Sequence, residues 1–326
     1  MTTEQMELFP LGHPEEGGER DALNLPQPPR TAQGPLSASS TLGDALDPFT
    51  EHMHDRELAE NTIKSFLYDL GLLREFLNQD ATLGELSTRQ LEGFLHWLRH
   101  EREAPCSLRS LDRRITTLKA FFEWLTNARV LPENPAEPLV YHGANSPLPE
   151  ILSDAQVEAL LDVTRSMRDA PEAPDARPHL LITLLLATGM KKAECMRIRL
   201  EHLDLSNLKQ PSVYIHYEKP RQRFKRRRLA LPDDFAPTFE AYMRRYQPQE
   251  LLLECTGRNL EYMLHSLSEL ARLNTKLTFE MLRWTSAVRA FKEGMDPERL
   301  RRRLGLSRIT WRETWETLQA LAEEPL

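Results

Sequence analysis

The chain has 326 residues, 40% hydrophobic and 28% charged, which is a normal balance for two ordinary soluble domains. No stretch is long and apolar enough to cross a membrane, and the first residues lack the basic and then apolar pattern of a secretory signal. The three cysteines are far apart and form no metal-binding spacing, so we expect reduced cytosolic thiols and no metal site.

The formal net charge of −7 is unevenly distributed along the chain. Residues 1–46 hold seven acidic residues and two arginines, which is −5 and leaves −2 for residues 47–326. These first 46 residues are rich in Pro, Gly and Ser and have no apolar periodicity, so we interpret 1–46 as a disordered tail. The near-neutral remainder still allows a locally cationic surface, because clustering sets a local field more than the total charge does.

Residues 47–135 predict a small helical domain. Thr62 is placed to cap a first helix, Ser87 begins a capping box, and a third helix starts near Ser107. On a helical wheel, two arginines of the third helix lie nearly opposite its apolar stripe, so they either contact a DNA backbone or are merely solvated. These arginines are Arg109 and Arg113.

Residues 136–150 carry Pro, Gly and Asn without periodicity, and we interpret them as a linker. The second domain, residues 151–321, begins with a capping box. A strongly apolar helix then breaks at Gly189, a residue that suits a helix end. Lys191 and Lys192 follow this break. They either face a bound anion or are surface lysines at a helix–turn–helix corner.

The most cationic stretch of the chain runs from Tyr217 to Leu231. Apolar, β-prone residues flank it, so it predicts two strands joined by a turn. So many cations in one turn favour binding to a polyanion such as nucleic acid, because each cation that contacts a phosphate releases a condensed counterion. The alternative is that the charged run is only solvated. Seven of the ten residues from Lys219 to Arg228 are basic: Lys219, Arg221, Arg223, Lys225, Arg226, Arg227 and Arg228.

The remaining residues predict helices only. A tryptophan pair four residues apart on the final helix favours core packing over a base-stacking platform. The predicted helices lie near Pro237–Tyr246 and Leu260–Leu273, begin at Thr278 and at Asp296, and end with one that carries Trp311 and Trp315.

The order and spacing of these parts resemble the tyrosine recombinase, or phage-integrase, family over about residues 47–318. The resemblance implies a mainly α fold with a small antiparallel sheet, in which a helical core-binding (SAM-like) domain precedes an α+β catalytic domain. The family's T-G-x-R-x-x-E box falls on Thr188 to Glu194, and its hairpin lysine falls on Lys219. Its H-x-L-R-H box falls on Glu280 to Trp284.

In that family, a tyrosine attacks a DNA phosphodiester, arginines hold the non-bridging oxygens, and no metal or nucleotide cofactor is needed. The resemblance therefore implies that most of the catalytic set is changed here. Lys191 replaces the first arginine and keeps its charge but loses the planar grip on phosphate. The positions that keep a remnant of the catalytic set are Lys191, Glu194, Lys219 and Arg283. Glu280 and Leu306 stand at the positions of the family's two histidines, and Trp315 stands at the position of its tyrosine.

These features predict a DNA-binding protein of recombination or integration that does not cleave DNA, acting in a bacterial cytoplasm at the nucleoid. Its expected partners are double-stranded DNA and either an active recombinase or further copies of itself. One alternative is an active enzyme that uses another nucleophile, such as Tyr262 or a partner's tyrosine; another is a protein-interaction module that no longer binds DNA. The expected DNA contacts are Arg109, Arg113, Arg283 and the seven basic residues of the cationic stretch.

Overall fold

The computed structural model describes residues 28–31, 34–77, 81–143, 147–208 and 210–323. The chain divides into two compact units, Met1–Ser146 and Pro147–Leu326. Each unit has a hydrophobic core made from its own residues. None of the helices in the described ranges is long and apolar enough to cross a membrane.

In the part of the first unit that is described, four α-helices surround the core. Ser87 and Ser107 cap two of them as expected, because their hydroxyls accept the backbone N–H groups three residues later. One helix begins at Glu60, so the expectation that Thr62 caps it is wrong. The elements are β1 Arg30–Thr31, β2 Gly34–Pro35, α1 Leu46–Asp55, α2 Glu60–Phe76, α3 Thr88–His100 and α4 Leu108–Asn127.

The interpretation of residues 1–46 as a disordered tail is wrong for the end of that range. Leu36, Leu42 and Ala45 are at most 2% exposed and belong to the first core. They lie in turns and an irregular segment, where apolar residues follow neither the helical nor the strand period, so a search for periodicity misses them. The predicted linker from residue 136 likewise begins too early, since Ala136 is buried in the same core. Residues 1–27 lie outside the described residues.

A buried carboxylate joins α2 to α4 inside the first unit. Asp69 is 1% exposed and accepts hydrogen bonds from Arg113 at 2.6 and 2.7 Å and from Thr117 at 2.9 Å. The prediction that Arg113 lies on an outward face is therefore wrong, whereas Arg109 is exposed. The wheel misplaces Arg113 because α4 packs against both α2 and α3 and buries polar as well as apolar residues.

We expect Asp69→Ala to lower the free energy of unfolding of the first unit by about 3–5 kcal/mol. Burial raises the pKa of Asp69 despite the nearby guanidinium groups, so the pair adds little net stability. Its removal is costly because it leaves buried Arg114 and half-buried Arg113 without their counter-charge. Urea unfolding followed by tryptophan fluorescence measures the change. Glu101→Gln, which alters an exposed pair with His96, is the control and should change stability by less than about 1 kcal/mol.

The described part of the second unit consists of helices and one three-stranded sheet. Ser153, Thr278 and Asp296 cap helices as the sequence predicts. A 3₁₀ helix, Pro220–Lys225, lies between the last two strands of the sheet. The elements are α5 Asp154–Arg168, α6 Arg177–Thr188, α7 Lys192–Cys195, β3 Leu203–Asp204, β4 Ser212–Ile215, β5 Arg227–Ala230, α8 Phe235–Tyr246, α9 Gly257–Leu270, α10 Phe279–Lys292, α11 Pro297–Arg303 and α12 Arg308–Glu323.

The sheet has the strand order β3-β4-β5, and both pairings are antiparallel. Val213 of β4 pairs with Leu229 of β5, and both are buried in the second core. The cationic stretch is therefore a hairpin whose turn is the 3₁₀ helix. The mainly α fold with a small antiparallel sheet is confirmed.

Candidate functional site

The first part of the candidate site lies where α6 ends. Gly189 follows α6 with a left-handed φ of 60°, and a Cβ there would lie 3.1 Å from Leu304 and 3.2 Å from Ser286. Glycine suits both the backbone conformation and the close packing at this point. The chain then turns into α7, which places Lys191 and Lys192 at the start of that short helix.

Glu194 on α7 is a buried carboxylate whose side chain is 3% exposed. Arg227 donates to its two oxygens at 2.8 and 2.9 Å, the Tyr217 hydroxyl donates at 2.7 Å, and the Lys191 backbone N–H donates at 2.8 Å. Burial opposes ionisation, but these donors outweigh it and lower the pKa of Glu194 to about 2. Burial and the hydrogen bond to Glu194 raise the pKa of Tyr217. Glu194 is therefore ionised at neutral pH and holds the loop that carries Lys191.

Arg227, on β5, has a side chain that is 8% exposed. Besides its two bonds to Glu194, it donates from Nε to the backbone oxygen of Arg303 at 2.6 Å. This burial corrects the prediction that all seven basic residues of the cationic stretch are available to a phosphate. The signal was present in the sequence, because alternate residues of a strand share a face and Arg227 therefore shares one with the buried Leu229 and Leu231.

The other basic side chains of the hairpin differ in how they are held. Arg226 donates to the backbone oxygen of Tyr217 at 2.7 Å, and Lys225 is also half-buried. Arg228 is exposed but lies 2.5 Å from the Asp204 carboxylate. Its charge is therefore partly offset. The other exposed cations of the hairpin are Lys219, Arg221 and Arg223.

Arg283 projects from α10 toward the end of α6. Its Nη1 donates to the backbone oxygen of Gly189, and its Nη2 donates to that of Leu304 at 2.8 Å. Burial lowers the pKa of Arg283 to about 10, although nearby Glu194 opposes the shift. The guanidinium is thus held rigidly by neutral carbonyl groups and remains charged at neutral pH.

A cavity of about 330 Å³ opens beside Arg283. Lys191 and Arg283 line it together, as the sequence suggests, whereas Lys219 is exposed on the hairpin and does not line it. Lys192 also lines it and pairs with Glu261 at 2.6 Å. The polar lining residues are Lys191, Lys192, Glu280, Arg283 and Thr314, and the apolar ones are Phe279, Trp284, Ala287, Leu304 and Leu306.

Three of the positions that differ from the family pattern, Glu280, Leu306 and Trp315, are placed differently in the structure. Glu280 and Leu306 both line the cavity, and Leu306 is buried. Trp315 packs edge-on against Phe291 with ring centroids 5.2 Å apart, and it contacts Trp311 at 5.4 Å. Both tryptophans are half-buried and pack against a buried apolar cluster, so the prediction that they serve packing is confirmed. The cavity therefore combines cations with apolar walls.

Both units of the chain match families of known proteins. Residues 46–129 match the family described as phage integrase, N-terminal SAM-like domain, and residues 150–314 match the phage integrase family. Tyrosine recombinase XerC of Anoxybacillus flavithermus is 26% identical over 283 residues, which cover 81% of this chain and 90% of that protein. XerC of Listeria monocytogenes serotype 4a is 28% identical over 272 residues, 79% of this chain and 87% of that protein.

Solved structures share the fold. A lambda integrase dimer bound to a COC′ core site has a TM-score of 0.67 at 14% identity, covering 88% of this chain and 80% of that one. The Tn1549 transposon integrase in complex with transposon right end DNA has a TM-score of 0.66 at 16% identity, covering 88% and 96%. Because the second family model alone matches over half of the chain, the chain belongs to the phage integrase, or tyrosine recombinase, family.

We expect Arg227→Ala to lower the free energy of unfolding by about 3–5 kcal/mol at pH 7, because it leaves the Glu194 carboxylate buried and unpaired. The loss should shrink as the pH falls below 4.5 toward 2, because Glu194 has a lowered pKa and gives up its charge in this window. Urea unfolding at several pH values tests both statements. The neighbouring exposed residue is a matched control: Arg228→Ala should change stability by less than about 1 kcal/mol.

Proposed function

We propose that this chain binds duplex DNA in site-specific recombination or DNA integration and does not cleave the DNA itself. The observation that carries the proposal is Trp315, which the sequence resemblance aligns with the family's nucleophile and which packs against Phe291. An indole has no hydroxyl that can attack phosphorus. The covalent route of the family is therefore closed at this position.

Two cations support the phosphate-binding part of the proposal. Lys191 and Arg283 line one cavity, and Arg283 donates to the neutral backbone oxygens of Gly189 and Leu304. Carbonyl groups offset a buried guanidinium charge only in part, so a phosphate in the cavity would stabilise it further. The mixed lining of the cavity would admit one phosphate group beside an apolar wall.

The other cavity residues support the loss of cleavage. Leu306 cannot transfer a proton, and the Glu280 carboxylate places negative charge where a phosphate would sit. Losing one preorganised donor to a developing oxyanion typically costs about 10²–10³ in rate, and here several groups that act as a unit differ together. Among the tyrosines, Tyr262 is last in sequence; it lies on α9, is 61% exposed, and is not among the cavity residues.

Exposed cations support a duplex partner. Lys219, Arg221 and Arg223 are exposed on the hairpin turn, and Arg109 is exposed on α4. The proposed partners are double-stranded DNA and either an active recombinase or further copies of this chain, in the cytoplasm of a bacterium at the nucleoid. The structural neighbours include recombinases bound to DNA and a lambda integrase dimer, which favours this assignment. The proposed chemistry uses no cofactor.

A nicked suicide duplex tests the loss of cleavage, because an active recombinase would remain covalently attached to it. We expect no covalent adduct on a denaturing gel with the unmodified chain. We also expect none with Trp315→Tyr, because Leu306, Glu280 and Lys191 remain unsuited to the reaction. An adduct with the unmodified chain would establish the alternative, an enzyme with another nucleophile.

Salt dependence tests the proposed DNA surface. Each lost phosphate contact should reduce the slope of log K against log salt by about 0.9 for duplex DNA. We therefore expect the double variant Arg221→Gln and Arg223→Gln to reduce the slope by about 1.8, measured by fluorescence anisotropy on a labelled duplex. The matched control replaces two exposed arginines outside the hairpin, Arg244→Gln and Arg272→Gln, and should leave the slope unchanged. Equal slopes for the hairpin variant and the unmodified chain would remove the turn from the interface.

A further inference from the structure

The cationic turn carries one large apolar side chain that its charge does not explain. Phe224 is 56% exposed on the 3₁₀ helix Pro220–Lys225. Arg223 precedes it, and Lys225 follows it with its Nζ 5.4 Å from the ring centroid. A single exposed apolar residue is common on protein surfaces, so exposure alone indicates nothing. The setting of Phe224, between cations at the tip of a hairpin, is what distinguishes it.

The structure holds this turn in a defined shape. The N–H of Gln222 donates to Lys219 O at 2.9 Å, and the N–H of Arg226 donates to Arg223 O at 3.0 Å. The Arg226 side chain adds a bond to Tyr217 O at 2.7 Å. At the base of the turn, β4 and β5 are paired through their last and first residues. A preorganised support lowers the ordering cost of presenting the ring to a partner.

We propose that Phe224 inserts as a wedge between adjacent base pairs of duplex DNA while Arg221 and Arg223 contact the flanking phosphates. This inference rests on the proposed binding of duplex DNA and adds how the turn engages it. The partner must combine a negative surface with an apolar interior that a ring can enter, and stacked base pairs inside a phosphate backbone have both properties. Apolar side chains that enter a base step partly unstack it and kink the duplex by about 20–90°.

The energetic balance of such a contact depends on the inserted ring and on the arginines that flank it. Opening a base step costs stacking, which the ring restores in part because it packs on the exposed base faces. The flanking arginines contact the phosphates on either side of the step, and these contacts offset the remaining cost. Phe224 therefore contributes to the deformation of the DNA, whereas Arg221 and Arg223 contribute to the salt dependence of binding. The two contributions are separable by substitution.

The test measures unwinding of a closed circular plasmid, because this readout does not require a known binding site. The plasmid is relaxed by a topoisomerase in the presence of the full-length chain, and the linking number is read after the protein is removed. We expect the unmodified chain to lower the linking number. Phe224→Ala should abolish most of that change at equal bound fraction, reduce affinity by about tenfold and leave the salt slope unchanged.

Two controls separate the wedge from general binding. Phe224→Leu keeps an apolar wedge and should retain the change in linking number. Arg223→Gln should reduce the salt slope by about 0.9 but retain the change at equal bound fraction. A supercoiled plasmid incubated with this chain but without topoisomerase should keep its supercoils, because the chain is proposed not to cleave DNA.

The outcomes that overturn the proposal differ from those that overturn the proposed function. If the unmodified chain binds duplex with the expected salt slope but Phe224→Ala unwinds it equally, the wedge is wrong and DNA binding stands. If the unmodified chain does not bind duplex even in dilute buffer, the proposed function fails and the wedge fails with it. Binding of an acidic protein through Phe224 would then identify a protein-interaction module.

Discussion

Hydrogen bonds from Arg227, Tyr217 and the backbone of Lys191 converge on the buried carboxylate of Glu194. This cluster joins the hairpin to α7, and the Nε of Arg227 extends it to Arg303 at the end of α11. Two charges leave water together, which is tolerable only because nearly every donor and acceptor of the pair is satisfied. The position of the cavity residue Lys191 therefore depends on a contact between two residues that do not line the cavity.

In the proposed function, the cavity holds an anion but lacks the groups that would react with it. Lys191 and Arg283 retain positive charge, and the backbone oxygens of Gly189 and Leu304 fix the guanidinium. At Leu306 and Trp315, apolar residues stand where the sequence resemblance places reactive ones. Such replacements cost the fold little, because burying an apolar side chain beside the core is favourable where a polar one would need partners. In the proposed function, binding is therefore retained without catalysis.

Charge in this chain has two different uses. Inside each unit, guanidinium groups serve the fold: Arg113 is held by Asp69, and Arg227 is held by Glu194. On the hairpin turn, Arg221 and Arg223 are exposed around Phe224. The overall charge of −7 therefore says little about the surface that meets a partner. Only cations that remain in water can release counterions from DNA, so exposure decides the proposed interface.

The sequence by itself determined the family, the order of the elements and many helix ends. Caps such as Ser87 and Ser153 and the glycine after α6 depend on neighbours within about four residues, so local patterns reveal them. Only the tertiary structure decided which carboxylates Arg113 and Arg227 pair with. Asp69 and Arg113 are 44 positions apart, and Glu194 and Arg227 are 33 apart. Such pairs form because packing excludes water from both groups at once, and no local period encodes the partner of a charge.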